Sequence, residues 1–135
     1  MQKHINIKNN IKQLPFLAEE LEKLGEEWQL DIPVVTNLNL VLEEAISNIV
    51  FYAYDDEKEH EINIVATKNG NEIVIAISDD GKPFDPTKKE TPDVSLSAED
   101  RKIGGLGIFL IRKIMDSVNY KRENGKNILT LTKSI

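Results

Sequence analysis

The strongest pattern in this chain is an apolar repeat at intervals of three and four residues between positions 38 and 54. The apolar positions are Leu38, Val41, Leu42, Ala45, Ile46, Ile49 and Ala53. This spacing predicts an amphipathic helix with one buried face. Glu44 and Asn48 are four residues apart, so at about 100° per residue they lie together beside that face. Such a pair can point into a cleft, or it can be a solvated pair on a core helix.

Two more helices are predicted on either side of this one. Apolar residues recur on one face between Leu14 and Trp28, and Asp31-Ile32-Pro33 then interrupts the pattern. The stretch Gly104-Gly105-Leu106-Gly107 is expected to open a third helix. The inner side of that helix is predicted to carry Ile108, Ile111, Met115 and Val118.

Alternation of apolar and polar residues predicts five strands, at 4–8, 60–67, 72–78, 118–122 and 128–133. Asn69-Gly70 and Asn124-Gly125 are typical of the tight turns of β-hairpins. The segment from Asp85 to Ile103 is polar and has no sustained period. A loop of that length in a small domain is either functional or disordered.

The order of elements predicts an α+β fold. Adjacent strands favour a mainly antiparallel sheet, and three helices on one face make this a two-layer α/β sandwich. The sequence has no internal repeat, low-complexity tract or interdomain linker. We therefore expect residues 1–135 to form a single domain.

Composition excludes several classes of function. The 135 residues are 40% hydrophobic and 30% charged, with a net charge of −6, so we expect neither nucleic-acid nor membrane binding. The chain has no cysteine, which excludes thiolate metal sites and a cysteine nucleophile. We see no apolar run as long as a membrane span and no signal-peptide pattern, and therefore expect a cytoplasmic location.

Two glycine-containing stretches carry candidate chemistry. The unpaired N–H groups at a helix N-terminus attract phosphate, and glycines let the backbone approach the anion closely. The stretch from Gly104 to Gly107 has this pattern, although a plain helix start would look the same. Asp79 ends a predicted strand and could accept a hydrogen bond from an exocyclic amine. Gly81 would then leave room for a flat ring, or it could simply form a tight turn.

Together these residues make three ordered motifs. Glu44-Ala45-Ile46-Ser47-Asn48, the stretch from Asp79 to Pro86, and Gly104-Gly105-Leu106-Gly107-Ile108 resemble the ATP-binding boxes of the gyrase/histidine-kinase/MutL ATPase superfamily. More closely, the chain resembles bacterial anti-sigma-factor serine kinases of the RsbW type. The resemblance covers nearly the whole chain, and three ordered boxes are far more specific than any one of them.

The resemblance implies the role of each site residue. Asn48 would coordinate the Mg²⁺ that bridges the ATP phosphates, and Glu44 would be the catalytic general base. Asp79 would bind the adenine amine, with Gly81 beside the ring.

The remaining implied contacts belong to the phosphates. Gly104, Gly105, Leu106 and Gly107 would hold them, and residues from about 87 to 103 would form a lid over the nucleotide. Arg101 is the lid cation expected to contact phosphate, although a solvated position is an equal alternative.

The chain departs from the family pattern at several positions. Tyr52 stands where these kinases often carry histidine. Lys126-Asn127 stands in place of a Gly-Thr pair, so a hydroxyl group expected beside the phosphates is missing there. Thr130 is the residue that could partly replace this hydroxyl. His4 and His60 are expected at strand edges, without a phosphoacceptor context, which argues against a self-sufficient sensor histidine kinase.

The resemblance implies a Mg-ATP-dependent protein serine/threonine kinase that acts as an anti-sigma factor. Its partners would be a small anti-anti-sigma antagonist protein, as substrate, and a sigma factor. One alternative is an ATP-binding module that sequesters a regulatory protein without phosphoryl transfer, and another is an ATP-hydrolysing switch. A homodimer is also implied, through the first strand and helix, with Ile5 and Ile7 on an exposed edge.

Overall fold

The computed structural model describes residues 1–88 and 105–135, and for residues 105–107 only the backbone. In chain order the elements are β1 (Gln2–Lys8), α1 (Leu14–Glu27), α2 (Ile32–Tyr52), β2 (Glu61–Asn69), β3 (Glu72–Asp79), α3 (Gly105–Ile114), β4 (Ser117–Glu123) and β5 (Lys126–Ser134). Two short 3₁₀ turns are Ile11–Gln13 and Pro86–Lys88. Apart from residues 87 and 88, the predicted lid lies outside the described residues, as do Arg101 and Gly104.

The five strands form one sheet in the order β1-β2-β3-β5-β4, and every neighbouring pair is antiparallel. Ile64 of β2 is paired with Ile5 on one side and Ile77 on the other, and all three are buried. The residues between them along each strand are half-buried or exposed. One face of the sheet therefore packs against the helices, and the predicted two-layer α+β fold is confirmed.

The α2 helix begins six residues earlier than the apolar repeat predicts. Its first residue is Ile32, and Pro33 lies in the first turn, where the missing N–H of proline costs no hydrogen bond. The backbone of Asp31, the residue just before the helix, is extended, with φ −66° and ψ 148°. Treating Pro33 as an interruption was therefore wrong, because proline at this position starts a helix.

One helix bears on the expectation that no apolar run reaches the length of a membrane span. The α2 helix has 21 residues and is long and apolar enough to span a membrane by length and composition alone. In the structure its buried residues, among them Val41, Leu42 and Ile46, belong to the same core as the sheet and the other helices. Packing in a protein core accounts for the composition of this helix.

The edges and turns agree with the sequence patterns except at one point. Asn124 and Gly125 have φ values of 53° and 76°, which a two-residue hairpin turn of this type requires. The β1 strand lies at the edge of the sheet, as predicted. The side chains of Ile5 and Ile7, however, are not exposed at that edge, because they point into the core and are only 4% and 2% exposed.

Candidate functional site

A narrow cavity lies between α2, α3 and the helix-covered face of the sheet. It is lined by Ala45, Asn48, Ile49, Ile77, Asp79, Phe84, Pro86, Ile111, Tyr120, Asn127 and Leu129. The cavity thus brings together Asn48 and Asp79, which are 31 positions apart in the sequence. Its volume is about 20 Å³, room for about one water molecule, so surrounding side chains would have to move to admit a purine ring.

Asn48 is the polar side chain that α2 contributes to this cavity. It is 4% exposed, and its amide Nδ2 is a buried polar atom without a hydrogen-bond partner among the described residues. An unsatisfied buried amide costs free energy, and a ligand that completes its hydrogen bonds would recover it. Such an amide also fits Mg²⁺, which accepts one carbonyl-type oxygen from a protein and takes its other ligands from water and phosphate.

The described residues do not form a metal site from their acidic, histidine or cysteine side chains alone. Among these residues, no group of three or more His, Cys, Asp or Glu side chains is placed to bind a metal ion. Any Mg²⁺ in this cavity would therefore depend on the Asn48 oxygen and on ligands brought by a nucleotide.

Asp79 is the last residue of β3, and two hydrogen bonds fix its carboxylate. Its Oδ1 accepts hydrogen bonds from the backbone N–H of Gly81, at 2.9 Å, and from Asn127 Nδ2, also at 2.9 Å. Burial raises the pKa of the Asp79 carboxyl above its ordinary value, while these two hydrogen bonds work in the opposite direction. A buried carboxylate with fixed donors on one oxygen is suited to accept a further hydrogen bond from an amine.

Gly81 is required by packing at the end of α2. A Cβ at this position would lie 2.7 Å from the Ala53 Cβ and closer still to the Ala53 carbonyl oxygen. The N–H of Lys82 donates to that same oxygen at 2.8 Å, so the turn after β3 is fastened to the end of α2. Close approach of two backbones therefore explains this glycine, and its role beside a flat ring stays a prediction.

Glu44 lies one helical turn before Asn48 and is partly buried, but it is not among the residues that line the cavity. Burial first, and repulsion from Glu43 second, raise the pKa of the Glu44 carboxyl above its ordinary value. A carboxylate with a raised pKa is a better proton acceptor, which a general base needs.

The predicted helix start is confirmed at Gly105, so Gly105, Leu106 and Gly107 form the first turn of α3. Ile111, in the second turn of α3, lines the cavity together with Asn48. The first turn of this helix offers N–H groups of the kind that bind phosphate. Arg101 and Gly104 lie outside the described residues, and their roles stay predictions.

Sequence reasoning missed most of the hydrogen-bond network around Asp79. Asn127 is buried, and its Oδ1 accepts from Tyr120 Oη at 2.5 Å. Arg122 Nη1 donates to the Gly81 carbonyl oxygen at 2.6 Å. One signal could have revealed Asn127, because it is a polar residue at an inward position of the alternating strand β5.

The strand register resolves one of the noted departures, and a ring contact describes another. Thr130 is paired with Ala76 and Asn119 and lies between Leu129 and Leu131, whose side chains are buried. Its side chain is therefore on the face of the sheet that the helices leave open, and it cannot replace a hydroxyl near the cavity. Tyr52 stacks on Phe84, with ring centroids 5.7 Å apart, and Phe84 lines the cavity.

A second polar cluster surrounds His60, at the end of the sheet next to Asp79. The Nε2 of His60 lies 2.8 Å from an Asp56 oxygen, and its Nδ1 lies 3.2 Å from Asp80 Oδ1. Tyr54 stacks on the imidazole at 4.3 Å and donates its hydroxyl hydrogen to Asp80 at 3.0 Å. The pKa of His60 is raised above its ordinary value, and the largest cause is the hydrogen bond to Asp56.

Comparison with known proteins identifies the family of this chain. The family model for the histidine kinase-like ATPase domain matches residues 7–133. The serine/threonine-protein kinase BtrW of Bordetella bronchiseptica is 35% identical over 95 residues, covering 70% of this chain and 67% of that protein. The serine-protein kinase RsbW of Listeria monocytogenes is 34% identical over 105 residues, covering 75% of this chain and 66% of that protein.

A solved structure shares the fold at low sequence identity. The crystal structure of the RsbU and RsbW domains of a Mycobacterium tuberculosis protein matches with a TM-score of 0.71 and 15% identity, covering 99% of this chain and 32% of that one. The chain spans about two thirds of the length of the curated relatives named above. From the family match and these relatives, this chain belongs to the family of histidine kinase-like ATPase domains, and its relatives there are of the RsbW type.

Proposed function

We propose that this protein is a Mg-ATP-dependent serine/threonine kinase that phosphorylates a small anti-anti-sigma antagonist protein and acts as an anti-sigma factor. The observation that carries the proposal is that Asn48 and Asp79 line one cavity. Glu44 precedes Asn48 by one turn of α2. Relatives named as serine kinases support the reaction class.

Each residue has a distinct task in this proposal. Asp79 accepts a hydrogen bond from the adenine amine, and Asn48 provides an oxygen for Mg²⁺. Glu44 accepts the proton of the substrate hydroxyl as the hydroxyl oxygen attacks the γ-phosphorus, and the bond from the γ-phosphorus to the bridging oxygen breaks to release ADP. When bound, Mg²⁺ would neutralise phosphate charge.

The phosphate contacts are proposed for the first turn of α3. Gly105, Leu106 and Gly107 of that turn, together with the preceding Gly104, would hold the phosphates. Arg101 would reach the phosphates from a lid that residues from about 87 to 103 form over the nucleotide.

The test is transfer of a thiophosphate label. The protein is incubated with cytoplasmic extract of its own organism, magnesium and γ-thio-ATP, and labelled serine or threonine is identified by mass spectrometry. We expect one small acceptor protein, labelled by wild type and by the exposed control Glu72→Gln, and labelled at least about 100-fold more slowly by Glu44→Gln. If wild type binds Mg-ATP and labels no protein, the kinase proposal is wrong.

One observation favours a second candidate function, a module that binds ATP and sequesters a regulatory protein without phosphoryl transfer. Glu44 is not among the residues lining the cavity. Under this alternative, Glu44→Gln leaves both partner affinity and regulation intact. An ATP-hydrolysing switch would instead release phosphate steadily from the isolated protein.

The partners proposed for this chain follow from the same family. Besides the antagonist it would hold a sigma factor, and it would work in the cytoplasm as a homodimer. The edge strand β1 and helix α1, whose Phe16 is 44% exposed, are the proposed dimer surface. Sedimentation that shows a monomer at all accessible concentrations would refute the dimer.

A further inference from the structure

Asn127 is the most completely hydrogen-bonded side chain at the cavity. It is 4% exposed and occupies the first inward position of β5, ahead of Leu129 and Leu131. Its amide Nδ2 donates to Asp79 Oδ1 at 2.9 Å and to the Lys82 carbonyl oxygen at 2.8 Å. Both hydrogens of the amide are therefore used, one of them on the candidate adenine-binding carboxylate.

The other end of the amide fixes its orientation. Asn127 Oδ1 accepts from Tyr120 Oη at 2.5 Å, from Arg122 Nη1 at 3.2 Å and from the Phe84 backbone N–H at 3.2 Å. Arg122 and the backbone N–H can only donate, and the Lys82 carbonyl can only accept. The amide therefore has one allowed orientation, and its nitrogen must face Asp79.

This arrangement determines what Asp79 can recognise. Its Oδ1 accepts two hydrogen bonds, from Asn127 and from the Gly81 backbone, and both favour the ionised form of the carboxyl. The carboxylate is thereby held as an acceptor toward a ligand. An acceptor at this place pairs with a 6-amino purine and opposes a 6-oxo purine, whose oxygen also only accepts.

We propose that Asn127 is a specificity-determining positioning residue, which orients Asp79 so that the site selects a 6-amino purine over a 6-oxo purine. The inference rests on the proposed nucleotide binding and deepens it. A residue that only stabilised the fold would change the affinity for every purine nucleotide alike. A positioning residue changes the ratio of the affinities for 6-amino and 6-oxo purine nucleotides.

The experiment measures that ratio by calorimetry with ATP and ITP, in magnesium, on wild type and Asn127→Asp. In the variant a second carboxyl group faces Asp79, and the repulsion between the two favours a proton on one of them; when that proton is on Asp79, it can be donated to a 6-oxo group. We expect the ratio of ATP to ITP affinity to fall about 10- to 100-fold, the usual weight of one hydrogen bond to a charged group. The matched control is Asn119→Asp, at an exposed position of β4, which should leave the ratio unchanged.

A milder variant covers the case in which Asn127→Asp fails to fold. Tyr120→Phe keeps the ring and removes one donor to the amide oxygen, so we expect a drop of about 3- to 10-fold in the same ratio. An unchanged ratio in a folded variant, beside a wild type that prefers ATP, overturns this inference alone. A wild type that binds neither nucleotide overturns the proposed function itself.

Discussion

Replacing Asn48 by alanine should make the protein more stable and at the same time remove its metal-dependent binding of ATP. Asn48 lies in the middle of α2 and is 4% exposed, and its Nδ2 has no partner among the described residues. A buried amide without a hydrogen-bond partner lowers the free energy of unfolding. Binding sites commonly retain such groups, because a ligand uses them.

The magnitude follows from three contributions. Removing the buried unpaired donor recovers about 1–3 kcal/mol of desolvation free energy. Alanine has the higher helix propensity, by about 0.5 kcal/mol. The space left by the amide costs roughly 0.5–1 kcal/mol, at about 24 cal/mol per Å³. The free energy of unfolding without nucleotide should therefore rise by about 0.5–3 kcal/mol, which raises Tm by roughly 2–11 °C.

Thermal unfolding followed by circular dichroism, without nucleotide, measures the stability of the Asn48→Ala variant. The matched control is Asn39→Ala on the same helix, at a half-buried position, which should gain the propensity contribution of about 0.5 kcal/mol and no more. Calorimetry then compares ATP binding in magnesium and in EDTA. In wild type and control, magnesium should raise the affinity, and in Asn48→Ala it should not.

Either of two results would refute this reasoning. A lower Tm for Asn48→Ala than for Asn39→Ala would mean that the amide stabilises the fold. An undiminished effect of magnesium on ATP affinity in the variant would mean that the Asn48 oxygen is not a metal ligand.

Three further predictions concern the surroundings of the site. Glu43→Gln removes a repulsion that raises the pKa of Glu44, so the acid limb of the kcat–pH profile should move to lower pH. Gly81→Ala forces a Cβ against Ala53 and should lower the free energy of unfolding by about 1–3 kcal/mol, measured in urea. The stabilisation from His60, whose pKa is raised, should be complete below about pH 6.5 and be lost as pH rises through the folded pKa, in Tm measured against pH.

Each of these has a control and an opposing outcome. Glu72→Gln, at the exposed start of β3, should leave the acid limb in place, and an unmoved limb in Glu43→Gln would contradict the first prediction. A Gly81→Ala protein as stable as wild type would show that the close approach to α2 relaxes at no cost. For the third, His60→Gln should flatten the dependence of Tm between pH 6 and 8, and an equal slope in wild type and variant would count against it.

Local pattern predicted the elements well, and it failed where a residue acts through a partner distant in sequence. The repeat around Leu42 and Ile46 was enough to predict α2, because burial of one face follows from spacing alone. It misplaced the start of the helix, since Pro33 can either interrupt or begin one. Thr130 was a plausible substitute for a missing hydroxyl until the register assigned it to the opposite face.

The sequence by itself determined the class of fold, the order of the elements and the resemblance of three motifs to known ATP-binding boxes, because periodicity and short motifs are local properties. Only the tertiary structure decided that Asp79 is held by Asn127 from a neighbouring strand and that Gly81 is fastened to the end of α2. Those facts depend on which strands pair and in which register. Pairing between β3 and β5 joins residues that are 48 to 62 positions apart, and no local pattern specifies it.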